Sequence, residues 1–217
     1  MRSKFDEQLR LLNSEMIVMS TMIEDAIKDA IEALFTQNVE KARKIMRDDE
    51  LVDQEQKKIE NICFQLLVQQ QPVAKDLRTI TAAMKMVTDM ERIGDQAADI
   101  SELTIMMAGS PYRINGKNIQ KMSLETITML IHAVEAYVEQ DIQKAQEVIE
   151  HDDIVDDLFV KVKSDLIELM QKDTDYEEHA ADLLMVNKYL ERIGDHATNI
   201  AEWVIFSLDD RYVKRED

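Results

Sequence analysis

The pentapeptide Glu-Arg-Ile-Gly-Asp is written twice, as Glu91–Asp95 and Glu191–Asp195, each time inside a long run of helical periodicity. The 217-residue chain has only four glycines, and two of them, Gly94 and Gly194, stand in these copies. In a helix interior each costs roughly 1 kcal/mol relative to alanine. Something in the fold must require the same unfavourable residue twice.

A second pair of segments repeats the theme. Asp49-Glu50-Leu51-Val52-Asp53 matches Asp152-Asp153-Ile154-Val155-Asp156 at an offset of 103 residues instead of 100, a difference that a change in loop length accommodates. The other two glycines and one of the two prolines fall between the copies, in Ala108-Gly109-Ser110-Pro111-Tyr112-Arg113-Ile114-Asn115-Gly116. So few breakers, among many Leu, Met, Ala, Glu, Lys and Gln residues, predict an all-α protein. The plan is six helices in two similar three-helix bundles, residues 1–108 and 117–217, related by internal duplication.

The first helix carries a seam of Phe5, Leu9, Leu12, Met16, Met19, Ile23, Ala26, Ala30 and Ala33, in steps of four and three. Later helices are expected at about Val39–Gln70, Val73–Ala108, Asn118–Val138, Asp141–Gln171 and Tyr176–Asp209. The breaks fall at Gln69-Gln70-Gln71-Pro72, Glu139-Gln140 and Lys172-Asp173-Thr174-Asp175.

A formal charge of −18 argues against a nucleic-acid partner, because phosphate backbones are bound by clustered Lys and Arg. The same sign disfavours an anionic bilayer surface and favours cations or basic protein surfaces. No apolar run of 18 residues exists and the N-terminus lacks a signal-peptide core, so a soluble, cytoplasmic protein without direct membrane insertion is expected. Cys63 cannot form an internal disulfide and reads as a small buried filler.

The chemistry sits where carboxylates interrupt apolar seams. In the second helix the seam runs Ile45, Asp49, Val52, Gln56, Ile59, Cys63, Leu66, and its copy runs Val148, Asp152, Val155, Phe159, Val162, Leu166, Leu169. Asp53 and Asp156 follow four residues after the seam aspartates, so each half presents an Asp-x-x-x-Asp pair on one helix face. In the third helix Glu91 and Asp95 lie about 160° from the seam residue Ile93, on a face shared with Ile80, Met84 and Val87. Glu191 and Asp195 repeat this arrangement. Asp99 extends the first set by a turn, where the second has Asn199.

Like charges at this spacing repel, and more so beside apolar neighbours, whereas a cation reverses the sign. Four carboxylates from two helices suit hard, oxygen-seeking metals such as magnesium, manganese, calcium or iron. The absent Cβ of Gly94 and Gly194 lets another helix or a ligand approach closely. Recurrence in matching register favours metal binding over a solvated acidic face. Arg92 and Arg192 are read as local partners of these acids.

No other catalytic constellation is present. His132, His151, His179 and His196 are scattered, none follows a glutamate at Glu-x-x-His spacing, and His151 reads as a surface residue. A metal-dependent phosphohydrolase is the alternative, since clustered metals activate water, but it lacks a general base beyond the ligands. The expectation is a protein that is not an enzyme.

Three segments carry a family resemblance: Gln71-Pro72-Val73-Ala74-Lys75-Asp76-Leu77-Arg78, Met90-Glu91-Arg92-Ile93-Gly94-Asp95, and the run from Leu190 through Glu191-Arg192-Ile193-Gly194-Asp195-His196 to Glu202. Across almost its whole length the chain resembles the PhoU family of phosphate-specific transport accessory proteins. That resemblance implies multinuclear metal sites, with iron, zinc, magnesium or manganese among the family's metals. Carried over, one site uses Asp49, Asp53, Glu91, Asp95 and Asp99, and the other Asp152, Asp156, Glu191 and Asp195. It also implies a homodimeric cytoplasmic regulator that couples the ATPase of the phosphate ABC transporter to a sensor histidine kinase, dampening uptake and the phosphate-starvation response. Gln96 in place of His196, and Asn199 in place of Asp99, are departures that make the two sites unequal.

Overall fold

The computed structural model of the chain describes residues 2–69, 73–109, 116–172 and 177–209. Six helices occupy them: α1 (Arg2–Thr36), α2 (Val39–Gln69), α3 (Ala74–Met107), α4 (Lys117–Glu139), α5 (Ile142–Lys172) and α6 (Glu177–Leu208). The chain is all-α, with each expected boundary met to within one residue. The expected breaks at residues 70–72, 110–115 and 173–176 lie outside the described residues.

Local signals explain why the first and fourth helices stop where they do. Gln37 and Gln140, equivalent at the offset of 103, both turn into the left-handed region with φ of 51° and 57°. The next residue then caps the following helix: Lys41 N–H donates to Asn38 Oδ1 at 3.0 Å, and Lys144 N–H to Asp141 Oδ1 at 3.1 Å. The lysines reinforce both turns, Lys41 Nζ reaching Glu32 at 2.7 Å and Lys144 Nζ reaching Glu135 at 3.0 Å. One turn design is therefore used twice.

The seams become the core. Leu12, Met16, Met19 and Ile23 of α1 are fully buried, as are Ile59, Cys63 and Leu66 of α2 and Met86, Met90 and Ile93 of α3. Within each unit the middle helix packs only on its two sequence neighbours, α2 on α1 and α3, and α5 on α4 and α6. The units meet chiefly through α3 against α6, with α1 against α4 beside them, and one apolar cluster runs through both. This is why α3 needs two buried faces, one toward α2 and one toward the opposite unit.

The α3–α6 pairing is antiparallel. Lys85 Nζ stands 5.9 Å from the Trp203 ring centroid, His196 meets Asp89, and Asp99 is paired electrostatically with Tyr189 and Arg192, so numbers rise on one helix as they fall on the other. Among the described residues no helix is long and apolar enough to cross a membrane.

Candidate functional site

Each repeated glycine is a seat for the middle helix of its own unit. A Cβ placed on Gly94 would lie 3.1 Å from Val52 Cγ1 and 3.4 Å from Asp49 Oδ1; on Gly194 it would lie 3.2 Å from Val155 Cγ1 and 3.1 Å from Asp152 Oδ1. The approaching group is thus another helix, and the atom closest to the glycine beside the valine is a carboxylate oxygen. The unfavourable residue is required twice because the same aspartate is pressed onto the same motif twice.

Burial and repulsion act together on that aspartate. Burial raises the Asp49 carboxyl first, and Asp95, Asp53, Glu91 and Asp99 add their negative charge, pushing it from 3.8 up to about 6. Among the described residues Asp49 has no basic partner. Asp152 is likewise pushed up to about 6 by burial, then by Asp156 and Asp195, with the Thr198 hydroxyl offsetting part and Glu191 adding more. The structure therefore gathers Asp49, Asp53, Glu91, Asp95 and Asp99 into one electrostatic neighbourhood, and Asp152, Asp156, Glu191 and Asp195 into another.

The surrounding acids are raised too. Glu91 is raised by burial and by Asp95, Asp195 by burial and by Glu191, and Asp99 by burial and by Asp95. Four of the five are partly buried and Asp195 is more exposed, so water reaches them without fully stabilising their charge. As they stand, no three acidic, imidazole or thiol groups among the described residues are gathered tightly enough to hold one ion. The donor set is carboxylate oxygen on two facing helices, which fits a hard cation. Held there, a cation would supply positive charge beyond the single basic side chain that each cluster has.

The two sites differ in their cations. Arg92 behaves as a local partner, with Nη1 3.0 Å from Asp95 Oδ2 and Nε 3.5 Å from Glu91 Oε2. Arg192 acts elsewhere: it favours the charged form of Asp99 from across the α3–α6 interface, while Lys188 pairs with Glu191 in its own motif. The expectation of two equivalent local arginines is met only in the first copy.

Two pairings were not legible in the linear pattern. His196 and Asn199, the departures of the second motif, both turn to Asp89 on α3, a residue that motif reading passes over because its counterpart is Tyr189. His151 is half-buried at the surface, and its Nε2 lies 2.8 Å from Glu125 Oε2. Only the pairing of helices, invisible in periodicity, reveals either.

Comparison with known proteins decides the family. The model of the PhoU domain matches residues 16–104 and again 119–204, one copy per three-helix unit. The chain belongs to the PhoU family. A relative from Clostridium acetobutylicum, a phosphate-specific transport system accessory protein PhoU homolog, is 38% identical over 217 residues, covering 100% of this chain and 99% of the relative. A homolog of the same description from Aquifex aeolicus is 35% identical, covering 98% and 96% of the two chains. Among solved structures, PhoU from Pseudomonas aeruginosa superposes with a TM-score of 0.87 at 29% identity, covering 94% of this chain and 98% of that one. The doubled PhoU match starts and stops within the two bundles, so duplication of a PhoU unit accounts for the paired acid sites.

Proposed function

We propose that this PhoU-family chain is a metal-binding, non-enzymatic cytoplasmic adaptor that restrains phosphate uptake and the phosphate-starvation response through the transporter ATPase and a sensor histidine kinase. What supports the family role is the description of its relatives as accessory proteins of the phosphate-specific transport system. What supports metal binding is one observation: Asp49 and Asp152, each seated on a helix glycine, are pushed up to about 6 first by burial and then by the like charges around them. Such crowding is unfavourable unless a cation offsets it.

In this reading Asp49 and Asp53 of α2 would hold a cation with Glu91, Asp95 and Asp99 of α3, and Asp152 and Asp156 of α5 with Glu191 and Asp195 of α6. Oxygen donors favour iron, magnesium or manganese over zinc, which prefers nitrogen and sulfur. The protein's part is to fix the spacing of α2 on α3 and of α5 on α6. Arg92 limits the negative charge of the first cluster and Lys188 that of the second. A homodimer is part of the proposal.

The test is metal content of purified protein beside a Glu91→Ala, Asp95→Ala double variant, each then used to recover partners from cells. Wild type should carry metal and recover the ATPase or the kinase. Equal metal content in both proteins would overturn the site assignment.

A further inference from the structure

The aspartates that the two glycines seat are not held alike. Asp152 Oδ1 lies 3.1 Å from the Cβ position of Gly194, and Thr198 follows Gly194 by four residues, one turn along the same face of α6. Its hydroxyl is therefore placed beside the same carboxylate. Burial, Asp156, Asp195 and Glu191 all raise Asp152, and among the described residues the Thr198 hydroxyl alone lowers it. In the first unit this position is Ala98, and burial and every acidic neighbour raise Asp49 with no hydroxyl to offset them.

The rotamer of Thr198 points the same way. A helical threonine has a ready acceptor in the carbonyl one turn back, and Thr21, Thr88, Thr104 and Thr128 each donate to it at 2.9–3.2 Å. Thr198 does not. Its Oγ1 is buried with no hydrogen bond among the described residues. A buried hydroxyl that forgoes its own helix and finds no other acceptor is costly to keep. The acceptor it lacks stands beside it: the contact with Asp152 favours the charged carboxylate without closing to a hydrogen bond. An ionised carboxylate can only accept, so the proton between them belongs to the hydroxyl.

We propose that Thr198 is a positioning residue of the second carboxylate cluster, its hydroxyl donating to one oxygen of Asp152 so that the other is presented to a bound cation. Ligating carboxylates are fixed by such hydrogen bonds from residues that do not touch the metal. Holding a cation draws Asp152 into its charged form, the stronger acceptor, and the hydrogen bond closes with it. The assignment rests on the metal reading above and adds a difference between the sites. The first gathers five acids with no hydroxyl; the second gathers four acids and Thr198, Asn199 being turned to Asp89. A neutral donor orients Asp152 where charge alone surrounds Asp49.

The test isolates the second site in the full-length protein by Asp49→Asn and Asp53→Asn, and follows manganese binding by the loss of the free ion's paramagnetic resonance signal. Into this background go Thr198→Val and Thr198→Ala, which remove the hydroxyl, and Thr198→Ser, which keeps it. The alanine is the first unit's own residue at this position. Expected is a Kd about tenfold weaker for both hydroxyl-free variants, with recovery in Thr198→Ser, since loss of such a partner costs about 10–100-fold in metal affinity. Equal Kd values with and without the hydroxyl would overturn the proposal. So would a Thr198→Ser protein as weak as Thr198→Val, which would make side-chain shape responsible and not the hydroxyl. Thermal melts of each protein in chelator report folding apart from metal. A background protein that takes up no manganese would overturn the metal reading itself, and this assignment with it.

Discussion

His196 on α6 donates from Nδ1 to Asp89 Oδ1 on α3 at 2.9 Å, and Asn199 Nδ2 donates to the same oxygen at 3.3 Å. An ionised carboxylate can only accept, which assigns the proton to the imidazole nitrogen. The counterpart set is Tyr189, Gln96 and Asp99, in which a phenol stands in place of Asp89, and Gln96 Oε1 is buried with no hydrogen-bond partner among the described residues. The hydrogen-bonded contact is thus made at one of two equivalent places, and at the other Asp99 meets Arg192 and Tyr189 electrostatically. Asp89→Ala should lower unfolding free energy by about 1–3 kcal/mol, the cost of leaving partly buried donors unmet. Urea melts check this, and a Tyr189→Ala variant should cost nothing through this particular lock.

Gly94→Ala and Gly194→Ala set two effects against each other. Alanine adds up to about 1 kcal/mol of helix propensity. Against this, a Cβ at 3.1 Å from a valine methyl forces the neighbouring helix outward, and overpacking of this kind costs about 1–3 kcal/mol. Gly194→Ala should be the worse of the two, because it meets Asp152 Oδ1 at 3.1 Å as well as Val155 Cγ1 at 3.2 Å. A net loss of about 1 kcal/mol in chemical denaturation is expected for it. A gain in stability would mean that α5 yields freely.

Metal-free protein should lose stability as pH rises from 4 toward 7. Asp49 and Asp152 have folded-state values of about 6, above their ordinary 3.8, so the folded state holds their protons more tightly than the unfolded state does. Their stabilising effect is complete below 3.8 and is lost as pH climbs through about 6. Glu91, Asp99 and Asp195, also raised, act in the same direction. Glu15, lowered by its hydrogen bond to Lys58, acts oppositely and at lower pH. Thermal melts in chelator should show Tm higher at pH 5 than at pH 7, and an Asp49→Asn, Asp152→Asn variant should flatten that slope.

Adding magnesium or manganese at neutral pH should reverse the penalty. A cation that binds only the folded state adds about 2.7 kcal/mol when present at a hundred times its Kd. The rise in Tm should grow with metal concentration and with pH, since the cation competes with the protons on Asp49 and Asp152. A Tm unmoved by any of the hard divalent cations would contradict the carboxylate assignment.

Cys63 should be inert. It is fully buried and its thiol is pushed up to about 12, first by burial and then by the Glu60 charge. Since the thiolate is the reactive form, the native protein should react with a disulfide reagent far more slowly than the urea-unfolded chain.

Much of this fold can be read along the chain because helices report themselves by period. The seam from Leu12 to Ile23, the placement of Cys63 and the two faces of α3 all follow from spacing alone. The acids could be picked out for the same reason: a charge in an apolar register is conspicuous. What period cannot convey is which helix faces which. Arg192 acting on Asp99, the Asp89 contact and the Glu125–His151 pair all depend on packing partners, and each arises where the copies have diverged. Motif matching favours what is repeated, so it passes over what is not.

The antiparallel meeting of α3 and α6 carries one more consequence. Asp89 faces Asn199 while Asp99 faces Tyr189, so equivalent positions exchange partners across the contact. That exchange is the mark of an isologous interface, the kind a two-fold axis generates when a molecule meets its own copy. Covalent linkage has here taken over the work of association. A chain of half this length would have had to find its second half in another molecule.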